Sequence, residues 1–75
     1  MKLWIARNEK SSYCTLFLGE KPHQYVDEYS KETCWGITFM WGTYMLLPNG
    51  AFPEVTFENS PMEVELKIVN NVQGK

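Results

Sequence analysis

Along "MEVELKIV", residues 62–69, apolar and polar positions alternate up to Ile68, before a final Val69. Met62, Val64, Leu66 and Ile68 fall on one side, with Glu63, Glu65 and Lys67 on the other. A period of two predicts a strand with one face toward a core and one toward water. "KLWIAR" near the start is a second compact strand candidate, with Leu3 and Ile5 pointing one way and Trp4 and Ala6 the other. The polar run "NEKSS" separates it from "YCTLFL", so the pair predicts an antiparallel hairpin, ended by Gly19 and Pro22. In "CWGITFMWGTYMLL", Ile37, Phe39 and Trp41 share one side and Thr38 and Met40 the other. Gly42 breaks or bulges this run, and "TYMLL" resumes it as a further strand up to Pro48.

Two segments do not alternate. From Pro22 to Thr33 the aromatics are scattered among charges. The stretch reads either as a helical turn or two around "YVDEYSKE", with Tyr25, Val26 and Tyr29 at helix spacing, or as a loop wrapped over the sheet. In "FPEVTFENSP", residues 52–61, the prolines cannot donate ladder hydrogen bonds, which argues against a central strand. Phe52, Val55 and Phe57 are nevertheless worth roughly 1.5–3 kcal/mol each when buried. A stiff connector that plugs the open end of a small sheet satisfies both constraints, with Asn59 and Ser60 bonding locally in the turn that follows.

These elements predict a mainly β fold, or α+β if 22–33 holds one short helix. The expected form is a small curled antiparallel sheet or partly open barrel of about five strands. Residues 1–69 would form a single small globular domain and 70–75 a flexible C-terminal tail. A chain of 75 residues buries only about 60% of its unfolded surface. Its three Trp, four Tyr and four Phe supply the large buried areas that make so thin a core sufficient.

Charge and cysteine content narrow the function classes. The net charge of −2 gives no general attraction to nucleic acid or anionic membrane. Its distribution is uneven: no Lys or Arg occurs from Glu32 to Leu66, where five glutamates stand alone. No apolar run approaches a membrane span or a signal peptide, so a cytoplasmic location is the default expectation. Cys14 and Cys34 are then expected as free thiols packed as small hydrophobes, although a disulfide between them remains open.

The combination of "LWIAR" with "LP…FPEVTFENSP…VELKIV" resembles a family of small proteins of gut bacteria and of their mobile elements and phages. The likeness covers both ends, about half the chain, and "FPEVTFENSP" is its specific part; residues 21–43 match no pattern. That family carries no assigned activity, so the resemblance implies a context and no catalytic residues. A mobile-element setting would favour a protein that binds and modulates something in the host cell.

Chemistry finds little support in the spacing. The single histidine, His23, sits beside Pro22 without a third group to orient it against a cysteine thiolate. Cys14, His23 and Cys34, with Asp27 or Glu28, lack the close ligand pairs of a zinc site. The carboxylate pairs Asp27/Glu28 and Glu63/Glu65 have nothing to raise a pKa, and Gly36 and Gly42 lie in strand-like sequence rather than a phosphate loop. No enzyme activity, cofactor or metal is expected.

What remains is binding. Trp35, Phe39, Trp41 and Tyr44, with the base-free glutamates Glu54 and Glu58, form the candidate interaction patch, because aromatic anchors dominate hot spots. The expected partner is a host protein, a basic one if the acidic face is used, with an affinity that falls steeply with salt. The alternative is a homodimer through the edge of the Met62–Val69 strand, guarded by its own charges. A single-stranded nucleic-acid binder with an aromatic platform is a distant third, because the platform lacks a basic groove.

Overall fold

The structure is a computed structural model that describes residues 3–38 and 43–69. The fold is all-β: six strands in two antiparallel sheets, open rather than closed into a barrel, with no helix among the described residues. β1 (Leu3–Arg7) and β2 (Cys14–Leu18) form the expected hairpin, in register from Leu3↔Leu18 to Arg7↔Cys14. β3 (His23–Val26) and β4 (Thr33–Gly36) form a separate two-stranded ribbon. β5 (Thr43–Leu46) joins β2, and β6 (Met62–Val64) joins β1, giving a four-stranded sheet of order β5-β2-β1-β6.

The pleat gives this sheet two distinct faces. Register and period two place Ile5, Cys14, Leu16 and Val64 on one face. Ile5 and Cys14 form the core cluster with Val55, and Leu16, Leu47 and Val64 pack against it. The opposite face carries Ala6, Thr15 and Phe17 together with Tyr44 and Leu46 of β5. Ala6, Thr15 and Phe17 are buried as well, so both faces of the central hairpin are covered.

The connector expected between Pro48 and Pro61 is present. It holds no strand and runs through successive turns, closed by Ala51 N–H to the Pro48 carbonyl, Val55 N–H to Phe52 and Ser60 N–H to Phe57. Val55 is the buried plug, Phe57 is half-buried against Trp35 with ring centroids 6.2 Å apart, and Phe52 stays largely exposed.

Three expectations are corrected. Segment 22–33 is neither helix nor loop: it holds β3 and a tight turn in which Asp27 Oδ1 accepts the Tyr29 and Ser30 backbone N–H groups. β3 shows no period because all four of its residues are exposed, so no face selects apolar residues. The last strand ends at Val64, where pairing with β1 ends at Leu3; Met62, Leu66 and Ile68 are exposed instead of facing a core. The run from Cys34 to Leu47 is also divided: Cys34–Gly36 belongs to the ribbon and Thr43–Leu46 to the four-stranded sheet. Phe39 and Trp41, and the tail at 70–75, lie outside the described residues.

Candidate functional site

The ribbon is fastened to the sheet at two ends. At one end, Asn8 Oδ1 accepts the Trp35 backbone N–H at 2.9 Å, Glu9 Oε1 accepts that of Thr33 at 3.2 Å, and Glu32 Oε2 accepts that of Lys10 at 2.8 Å. At the other end, Glu20 Oε2 accepts from the Thr38 hydroxyl at 2.9 Å and lies 2.7 Å from His23 Nε2. Between these fastenings ribbon and sheet do not close on each other. They leave a groove of about 340 Å³, within the range of roughly 300–1,000 Å³ usual for ligand sites.

The sheet wall of the groove consists of Thr15, Phe17, Tyr44 and Leu46, which share one face by register. Tyr25, Trp35, Gly36 and Ile37 form the ribbon side, and Asn8 and Tyr13 complete the lining. Five of these ten residues are aromatic and none is charged, so the groove offers apolar contact and single hydrogen bonds rather than ionic capture. Phe17 anchors Tyr44 through a tilted ring pair at 6.3 Å, while Tyr44 and Leu46 remain 63% and 59% exposed. The Tyr25 ring lies over Gly36, where a Cβ would stand 2.9 Å from Tyr25 Cε1, so a glycine is needed for this close approach. The Trp35 indole N–H is buried without an acceptor among the described residues, at a cost of about 1–3 kcal/mol.

Burial is the first cause of the raised pKa of Cys34, reinforced by the carboxylates of Glu32 and Asp27. Tyr25 is raised by partial burial and then by the neighbouring Cys34. On the other face, burial raises Cys14, opposed by the Arg7 charge and assisted by Glu54. Both thiols are therefore held neutral, and both are free and buried as small hydrophobes. Among the described residues, no three His, Cys, Asp or Glu side chains gather closely enough to hold a metal ion. No helix among them is long and apolar enough to cross a membrane.

Of the predicted patch, Trp35 and Tyr44 are brought together from different sheets to line the groove. Glu54 and Glu58 stand on the connector and do not line it; Glu54 acts on Cys14, on the opposite face of the sheet. Tyr13, Tyr25 and Leu46 were missed by sequence reasoning. For Leu46 the signal is its strand context: it follows Tyr44 at i+2, so the two share a face. Comparison with protein-family models, curated proteins and solved structures finds no match to the chain.

Proposed function

We propose that this protein is a non-enzymatic binding protein that acts by protein–protein contact through the groove between its ribbon and its four-stranded sheet. The observation that supports this reading is an uncharged lining, half of it aromatic, whose rim residues Tyr25, Tyr44 and Leu46 stay more than half exposed. Exposed aromatics beside a concave apolar site are the usual anchors of a protein interface. The resemblance to small proteins of mobile elements and phages favours a host protein as partner and modulation as the outcome. Because the groove is uncharged, affinity through it depends only weakly on salt; steep salt dependence would assign binding to the base-free acidic surface around Glu54 and Glu58 instead.

The test is affinity capture from lysate of the encoding organism, with nuclease, using the native chain and a Leu46→Asp variant side by side. A protein retained by the native chain and lost by the variant supports the groove. Retention by both moves the contact elsewhere, and loss of every hit after nuclease treatment favours an aromatic nucleic-acid platform.

A further inference from the structure

Two features of the chain lack a partner among the described residues, and they match. The first is the free edge of β5. The Leu47 N–H donates to the Cys14 carbonyl at 2.9 Å, so 14↔47 is a hydrogen-bonded pair of the β2–β5 ladder. Such pairs alternate with non-hydrogen-bonded ones in antiparallel sheets. Met45 and Thr43 therefore bond inward to Leu16 and Leu18, while Tyr44 and Leu46 direct their main-chain N–H and C=O groups outward. No described residue pairs with those groups. The residues that offer open main-chain groups are thus the two that line the groove with their side chains.

The second feature is the segment after β6. Glu65–Val69 continues the strand alternation as far as Ile68, yet no described strand pairs with it, and Leu66, Ile68 and Val69 are 71%, 91% and 72% exposed. We infer that Glu65–Val69 of one copy adds as an edge strand to β5 of a second copy, with Leu66 and Ile68 turned toward the groove. This rests on the groove being a protein-contact surface and names its occupant. Strand addition draws affinity from main-chain bonds and selectivity from alternate side chains, and this pair supplies both.

The segment does not reach the edge of its own copy. β5 and β6 are opposite edges of one sheet, three strand spacings or about 14 Å apart, and Glu65–Val69 follows the edge strand farthest from β5, with no pairing to it among the described residues. Charge selects between edges as well. β5 has no charged residue and the inserting face of Leu66 and Ile68 has none, so their union opposes no like charges. Two β6 edges would instead bring Glu63 of each copy together. A β5–β5 pairing sets Tyr44 and Leu46 beside their copies in the sheet plane and leaves both grooves empty.

The experiment measures mass by light scattering against concentration for three full-length chains: native, Leu66→Asp/Ile68→Asp, and Leu46→Asp. The native chain is expected to exceed the 8.8 kDa of one copy, and both variants to return to it. Mixing the two variants should restore association, because one keeps an intact β5 edge and the other an intact terminal segment. The Leu66→Asp/Ile68→Asp chain should keep the thermal midpoint of a native monomer. A native dimer corresponds to reciprocal exchange and growth with concentration to an open chain, and both retain the contact. A native mass of one copy throughout overturns the inference and leaves the groove to the capture experiment. So does a mixture of variants that stays monomeric, or a terminal variant that lowers the stability of the single copy.

Discussion

Arg7 donates its Nε to the Val55 carbonyl at 2.6 Å, a bond between residues 48 apart in sequence. The same guanidinium donates Nη2 to the Phe52 carbonyl at 3.1 Å, and the Arg7 backbone N–H donates to Ser60 Oγ at 2.9 Å. One residue at the end of β1 thus holds the connector at three points. It also fixes Phe52, whose φ of 55° lies in the left-handed region at a cost of order 1–2 kcal/mol.

Arg7→Lys keeps the charge but loses the planar fork that reaches two carbonyls at once. It should lower unfolding free energy by about 1.5–3 kcal/mol, the range for hydrogen bonds to a charged group. Urea denaturation checks this, with the change expected in the midpoint rather than the slope.

Val55→Ala should cost about 2–3 kcal/mol, two methyl groups plus the void they leave between Ile5 and Cys14. Ile68→Ala, at an equally apolar position of the sequence pattern, should change the stability of a single copy by less than about 0.5 kcal/mol. Equal effects from the two would mean that the terminal segment packs on its own copy.

Stability should fall in alkali. Burial raises the folded pKa of Cys14, Cys34 and Tyr25, so the unfolded chain loses these protons first, near about 8.5 for the thiols. The folded state then binds more protons than the unfolded one, and unfolding free energy declines with pH. The contribution is complete below the ordinary thiol range and is lost as pH rises through the raised values. Urea midpoints across that range, with Cys34→Ala flattening the decline, are the check.

Gly36→Ala should act on the groove more than on the fold. The added Cβ would meet the edge of a half-exposed tyrosine ring, which can swing away at small cost. The expected outcome is a loss of stability under about 1 kcal/mol, with a moved Tyr25 resonance and weakened partner binding. A large loss of stability without any change at Tyr25 would sink this account.

The hairpin was legible in the sequence because β1 and β2 have short-range order: alternating apolar residues on either side of a polar turn. The proline-bearing connector was legible for a similar reason, since the missing N–H groups of Pro48, Pro53 and Pro61 are local facts. β3 was hidden because strand periodicity is a record of one-sided burial, and His23–Val26 has none. The alternation of Met62–Val69 read correctly as strand-like, but sequence pattern says which residues want a partner and not where it is; β1 supplies one only as far as Val64. The groove is less legible still. Trp35 and Tyr44 were foreseen as exposed aromatics, yet their meeting depends on Asn8, Glu9 and Glu20 fastening one sheet over another.

The sheet order also sets a schedule for the chain during synthesis. β1 completes its pairing only with β6, and its core neighbour Val55 comes late as well. After Leu18 has been made, the further stretch to Val64 takes about 2–9 s at roughly 5–20 residues per second. Until Val55 and β6 have followed, the hairpin lacks the neighbours that cover Ile5, Cys14 and Leu16 in the folded chain. A chain whose first strand is completed late in synthesis is open to misassembly in the meantime, so its yield in cells should respond to chaperone supply and to the rate of translation.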